Sequence, residues 1–140
     1  MNMRAPHVLV VDDSTMIRKI VRRVLEGMNL QVSEASDVRQ ALSICSMSMP
    51  DAIFVDGSMP TLDGCEFLRK LRRMHGGEAP KAIVCLNEND VAQIARAMHA
   101  GASEYMMKPF DADHVRAKFA SVDARHQPAT ATIPTLASRR

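Results

Sequence analysis

The stretch "HVLVVDDST", residues 7–15, decides the reading of this chain. Five apolar or β-prone residues, His7–Val11, have the length and composition of a buried strand, yet they run straight into two adjacent carboxylates, Asp12 and Asp13. Like charges side by side repel, and burial beside an apolar strand raises that cost. The plain reading is a strand that ends at the surface, with an acidic residue capping the helix that follows. The alternative is that the two acids face something positive.

Outward from this stretch, short β-rich runs alternate with longer amphipathic ones. Val8–Val11 reads as the first strand. Ile17, Ile20, Val21, Val24 and Leu25 recur at helical spacing, in a helix that Gly27 can terminate. Leu30–Glu34 is a second strand, and Asp37 caps a helix carrying Val38, Ala41, Leu42 and Cys45. Ala52–Val55 is a third strand, ending at Asp56. The turn "GSMPTLDG" then leads into a helix with Phe67, Leu68 and Leu71, closed by Gly76–Gly77. Ala82–Leu86 is the fourth strand. Asn89 or Asp90 caps a helix whose apolar face is Val91, Ile94, Ala95 and Met98, ended by Gly101. Ser103–Met107 is the fifth strand, and beyond Pro109 a last helix carries Val115, Phe119 and Val122. Strict strand–helix alternation predicts an α/β fold, a doubly wound five-stranded parallel sheet with right-handed crossovers. The stretch 124–140, "ARHQPATATIPTLASRR", lacks periodicity and holds two prolines; it reads as a disordered tail behind one domain at 1–123.

Composition narrows the class. A chain of 140 residues, 46% hydrophobic and 24% charged, is sized for one globular domain. No apolar run approaches the roughly 18 residues needed to span a bilayer. Acids arrive too early for a signal-peptide apolar region, so the expected location is the cytoplasm, away from membranes. Cys45, Cys65 and Cys85 have neither disulfide nor zinc spacing and read as small core residues. Residues 1–123 hold 15 Lys/Arg against 16 Asp/Glu, and the net +2 of the whole chain comes from Arg125, Arg139 and Arg140. Nothing resembles a nucleic-acid footprint. Two basic clusters, Arg18/Lys19/Arg22/Arg23 and Arg69/Lys70/Arg72/Arg73, interleave with apolar positions and read as solvated helix faces, with ligand binding the lesser alternative.

In an open parallel sheet the reactive crevice lies beyond the carboxyl ends of the strands. Asp12 and Asp13 follow the first strand, Asp56 ends the third, Leu86 and Asn87 follow from the fourth, and Lys108 follows the fifth. Three carboxylates and one ammonium therefore meet at one edge. A hard divalent cation such as Mg²⁺ suits such oxygen ligands. A carboxylate, a metal and a lysine together suit a phosphoryl group, whose transfer needs an aligned nucleophile and neutralised oxygens.

With those residues in place the chain resembles a receiver domain of two-component response regulators, in the single-domain, chemotaxis-type form found in bacteria. The resemblance rests on "VLVVDDS", "DAIFVDGSMPTLDG" and "AGASEYMMKPF", with a separation of 52 from Asp56 to Lys108, and covers about residues 7–122. It implies a flavodoxin-like fold with strand order 2-1-3-4-5. It implies that Asp56 is the phosphoacceptor, charged by a sensor histidine kinase. Mg²⁺ is then held by Asp13 and Asp56, by Asp12 through water, and by the Ser58 backbone carbonyl. Lys108 holds a phosphoryl oxygen, the Lys108–Pro109 bond is cis, and Tyr105 matches the aromatic switch, against the plainer reading of a half-buried tyrosine. Output passes to a protein target on the face of the fourth helix, fifth strand and fifth helix, here with Arg96, His99, Tyr105 and Arg116, and no DNA-binding domain is expected.

One departure matters. Receivers place Thr or Ser, then a small residue, at the end of the fourth strand; ungapped alignment puts Leu86 and Asn87 there. Leucine has no donor. A lost charge-assisted hydrogen bond, about 1.5–3 kcal/mol, is comparable to the gap of a two-state switch. Asn87 could compensate if the loop slips by one residue, or could crowd the site. Two readings stand: a phosphoacceptor with weakened readout, serving as a signal or a phosphate sink, or an interaction module working without phosphate or gated by another ligand. A haloacid-dehalogenase-like phosphohydrolase ranks far lower, because it needs D-x-D after the first strand. A flavodoxin-type cofactor role ranks lower still, because the first loop lacks a Ser/Thr/Gly-rich phosphate cradle.

Overall fold

The computed structural model describes residues 5–57, 64–87 and 91–125, with the backbone alone at 123–125. Five strands, β1 (His7–Val11), β2 (Gln31–Ala35), β3 (Ala52–Asp56), β4 (Lys81–Leu86) and β5 (Glu104–Met107), alternate with five helices. These are α1 (Thr15–Gly27), α2 (Val38–Met47), α3 (Gly64–Arg73), α4 (Val91–Ala100) and α5 (Ala112–Arg125). All strand pairs are parallel, in the order β2-β1-β3-β4-β5. The sheet is the doubly wound one that the alternation predicts.

Central strands buried on both faces read as continuous apolar runs, and β3, "AIFVD", is buried at every position. Alternate residues feed two cores. Leu9, Val11, Ile53, Val55, Val84 and Leu86 pack with Phe67, Leu68 and Leu71 of α3. Val8, Val10, Phe54, Ile83 and Cys85 pack with Val21 and Leu25 of α1 and with Val115, Phe119 and Val122 of α5. None of the three cysteines is in a disulfide, and all are buried. Ser14 caps α1, its hydroxyl accepting the Ile17 N–H at 3.2 Å, and Asp37 caps α2 by accepting the Gln40 N–H at 2.8 Å.

Several local expectations need correction. Gly27 is the last residue of α1, as expected, but the left-handed conformation that turns the chain falls to Asn29, with φ of 65°. Leu30 belongs to that turn, its N–H bonded to the Leu25 carbonyl, so β2 begins one residue later. Ile20, placed by spacing on the buried face of α1, is 45% exposed.

The largest error concerns α4. Val91 is 81% exposed and Met98 42%, and Ala95 is exposed too, whereas Ala97 and Ala100 are buried and Ile94 is half-buried. Small residues let this helix lie close to its neighbours, so the bulkiest stripe is not the buried one. Helix α5 continues to Arg125, two residues past the expected boundary. The proposed α4 cap (Asn89 or Asp90), the turn at 58–63 and the tail from 126 onward lie outside the described residues.

The basic clusters also change meaning. Arg72 is no solvated side chain: its guanidinium donates to the carbonyls of Gly101 (2.7 and 3.0 Å), Gly77 (2.9 Å) and Pro80 (2.8 Å). It staples α3 to the loops before β4 and β5. Arg18 bonds Glu34 (2.9 Å) and the Asp12 carbonyl (2.8 Å), while Arg22 bonds Glu34 (2.8 Å) and Glu26 (2.9 Å). The hydrogen bond from Arg22, with help from Arg18, holds the Glu34 carboxyl below its ordinary value against the opposing effect of burial.

Candidate acid and phosphoryl site

Each strand end delivers one part of the site. β1 is tied between β2 and β3, and its last pairing, Val11 with Ala35 and Val55, fixes where Asp12 emerges. The Asp12 N–H donates to the Ala35 carbonyl at 3.1 Å, continuing the ladder, and its Oδ1 accepts the Ser14 N–H at 2.9 Å. Asp56 ends β3 opposite Cys85 of β4. The loop after β5 brings in Lys108, whose N–H donates to the Leu86 carbonyl at 2.7 Å. The Lys108–Pro109 peptide bond is cis.

The three carboxylates converge: ligand oxygens of Asp12, Asp13 and Asp56 all lie within 4.8 Å of one another. Asp12 and Asp56 are buried and Asp13 is exposed. Lys108 Nζ stands 3.5 Å from Asp56 Oδ2 and 3.8 Å from Asp12 Oδ2. Asp12 Oδ2 is nonetheless without a hydrogen-bond partner, the one such buried side-chain atom among the described residues. Burial pushes the Asp12 carboxyl above its ordinary value, the Ser14 N–H opposes this, and the Asp56 charge adds to the rise. Burial alone would lower the Lys108 ammonium, but Asp56 and then Asp12 outweigh it and hold it above its ordinary value. Beneath them the Cys85 thiol is pushed up to about 12, mainly by burial, which leaves it protonated and unreactive.

One lysine does not balance three carboxylates. An unpartnered carboxylate oxygen, aimed into a cluster of hard oxygen donors with one open side, suits a small divalent cation that keeps part of its water. The donor set thus fits Mg²⁺ at Asp12, Asp13 and Asp56; Ser58, expected to add its carbonyl, lies outside the described residues.

The remaining residues singled out from sequence fall around this cluster. Leu86 is buried at the end of β4 and Asn87 is exposed beyond it. Leu86 is the last residue of β4, and Asn87 follows it. Tyr105 is half-buried on β5, paired with Val84, and the Lys118 ammonium lies 5.9 Å from its ring centre. Arg96 and His99 are exposed on α4 and Arg116 on α5, the last bonded to Asp113 at 2.6 Å. What the sequence reading missed is Gly57. Its absent side chain is what accommodates Leu86, a relation visible only once the strands are in register.

A five-stranded, doubly wound sheet with an acid cluster and a lysine at its carboxyl edge defines the class: a receiver-like α/β domain. The family model for the response regulator receiver domain matches residues 8–120, and the chain belongs to that family. Among curated relatives, the KDP operon transcriptional regulatory protein KdpE of Escherichia coli is 34% identical over 128 residues, covering 91% of this chain and 56% of the relative. The response regulator MprA of Mycolicibacterium vanbaalenii is 35% identical over 121 residues, covering 86% and 52%. This chain thus spans about half the length of these relatives. Among solved structures, the chemotaxis response regulator CheY4 of Vibrio cholerae superposes with a TM-score of 0.81 at 27% identity, covering 85% of this chain and 99% of the other. Receiver domains are signalling phosphoacceptors that deal with histidine kinases and downstream targets and bind Mg²⁺ at an acidic pocket. No described helix is long and apolar enough to cross a membrane.

Proposed function

We propose that this chain is a Mg²⁺-dependent phosphoacceptor in which Asp56 takes a phosphoryl group from the phosphohistidine of a sensor kinase and signals by contact with other proteins. The observation that carries this reading is the buried Asp12 Oδ2, which has no hydrogen bond and faces Asp56 and Lys108. A fold that needed only a helix cap would not keep an unsatisfied carboxylate oxygen beside two further acids.

In the reaction, an Asp56 carboxylate oxygen attacks phosphorus, the N–P bond of the phosphohistidine breaks, and its electron pair returns to the imidazole. Lys108, 3.5 Å from Asp56, offsets charge on the arriving oxygens. Asp13 and Asp56, with Asp12 through water, would hold the cation, which when bound would supply Lewis-acid neutralisation of the phosphoryl oxygens. The remaining family roles stay within this proposal: the Ser58 carbonyl as a further ligand, Tyr105 as a switch, and a target docked on α4, β5 and α5. So does the cytoplasmic location. Leu86 and Asn87, in place of Thr or Ser and a small residue, weaken the conformational readout.

The test is direct. Protein incubated with Mg²⁺ and a small phosphodonor such as acetyl phosphate should acquire an acid-stable, base-labile phosphoryl group. Chelation of the metal or the substitution Asp56→Asn should abolish it. Absence of labelling from both a small donor and a cognate kinase overturns the reading. The exposed apolar residues Val91 and Met98 of α4 favour, as a second reading, an interaction module that works without phosphate. Full biological output from Asp56→Asn would establish it.

A further inference from the structure

The end of β3 is approached closely from two sides, both at glycine positions. A Cβ at Gly57 would lie 2.6 Å from Leu86 Cδ2, 3.1 Å from the Cys85 carbonyl oxygen and 3.2 Å from Val84 Cγ1. A Cβ at Gly64, which opens α3, would run into the Asp56 carbonyl oxygen and come within 3.1 Å of Gly57 Cα. The Gly57 N–H donates to the Cys85 carbonyl at 2.8 Å, and the Leu86 carbonyl accepts the Lys108 N–H at 2.7 Å. Leu86 therefore touches the acceptor strand through its side chain and the lysine loop through its backbone.

Leu86 is 5% exposed and lies in the apolar cluster against which Tyr105 and Met107 of β5 pack. Its bulk fits because residue 57 contributes none. An oversized side chain and a missing one face each other across the β3–β4 register, where Asp56 pairs with Cys85.

We propose that Leu86 is a positioning residue: seated on Gly57, it fixes the Asp56–Gly57 peptide and insulates β5 from the state of Asp56, so that Tyr105 keeps its place when Asp56 is charged. This rests on the phosphoacceptor reading and specifies how its output is limited. Two physical facts support it. An aliphatic side chain has neither donor nor acceptor, so an arriving phosphoryl oxygen has nothing on Leu86 to draw toward itself. A close-packed seat also holds no void into which a neighbouring ring could move.

The chain contains a single tyrosine and no tryptophan, so tyrosine fluorescence reports on Tyr105 alone. The experiment adds Mg²⁺ and beryllofluoride, a phosphoryl mimic, and follows bound fluoride by ¹⁹F NMR beside the emission of Tyr105. The native chain should show bound fluoride and unchanged emission; Leu86→Thr should show bound fluoride and altered emission. Native emission that moves as far as that of Leu86→Thr overturns the insulation and leaves the phosphoacceptor reading standing. A Leu86→Thr protein that binds and stays silent also overturns it, because residue 86 is then not the insulator. No bound fluoride in the native chain removes the phosphoacceptor reading and the insulation with it. The seat is tested separately by thermal unfolding. Gly57→Ala should lower the midpoint, and Gly57→Ala/Leu86→Ala should recover most of the loss; a double variant no better than the single one overturns the seating.

Discussion

The two ends of the sheet treat an acid in opposite ways. At the amino end, Asp51 precedes β3, and its Oδ2 accepts the His7 N–H at 2.7 Å. Its own N–H donates to the His7 carbonyl at 2.8 Å, and the His7 ring is paired with the Ser33 hydroxyl at 2.7 Å. That carboxylate is used to close the start of the ladder. At the carboxyl end, Asp12 is fully buried, one of its oxygens has no hydrogen-bond partner, and two further acids crowd it. An unsatisfied buried group costs stability, typically about 1–3 kcal/mol and more when charged. The fold tolerates that cost at one end only, and that is the end where five strand tips can assemble a binding site. Asp51 is half-buried and fully engaged with its neighbours, Asp12 fully buried and short of a hydrogen bond, so the contrast separates structural acids from functional ones by their partners.

Lys108→Ala should break the contrast most severely. It leaves Asp12 and Asp56 without their nearest cation, so the rate of phosphoryl uptake from a small donor should fall by about 10²–10³-fold, as when one preorganised charge donor is lost. A fall of under threefold would mean that Lys108 does not face the transferred group. Asp13→Asn and Asp12→Asn should each weaken Mg²⁺ binding by about 10–100-fold, read by calorimetric titration. They should differ in the metal-free protein. Asp12→Asn removes a buried charge and should raise the unfolding midpoint, whereas Asp13→Asn, at an exposed position, should leave it unmoved.

The comparison also shows what the letters could and could not reveal. The strands were legible because runs such as "VLVV" and "AIFVD" need burial on both faces, and the site followed from topology, which gathers the carboxyl ends whatever the side chains do. Packing that depends on small or long side chains was not legible. Ala97 and Ala100 outcompete Val91 and Met98 for the interior because closeness of approach, not bulk, sets the face of α4. Arg72 looks like its neighbours Arg69, Lys70 and Arg73 in sequence, but it meets the carbonyls of Gly77 and Pro80 in the next loop and of Gly101, 29 residues on. Gly57 reads as a turn residue until the register sets it beside Leu86. Its signal was available in one respect: it directly follows the proposed acceptor, in a chain whose opposing strand ends in an oversized residue.

At the amino end, Asp51→Ala should sharpen the comparison by giving the reverse pattern: a loss of about 1–3 kcal/mol in denaturant unfolding, as the His7 N–H loses its acceptor, with Mg²⁺ affinity unchanged. The smallest and most discriminating effect is that of pH. Burial sets the Asp12 pKa above its unfolded value, so the folded state binds that proton more tightly. Its ionisation therefore penalises the metal-free fold at pH above the raised pKa, and the penalty disappears as pH falls toward 3.8. Glu34 acts in the other direction: its pKa is lowered, so its contribution is present above 4.5 and is lost as pH falls through the folded value. Protons should also compete with Mg²⁺ for Asp12, weakening binding by up to about tenfold per pH unit once the pH drops below its raised pKa. Calorimetric titrations at stepped pH should show this steepening in the native chain and a flatter profile in Asp12→Asn. Equal slopes in the two proteins would mean that the cation does not draw on Asp12, and the two ends of the sheet would then differ only in how well their acids are solvated.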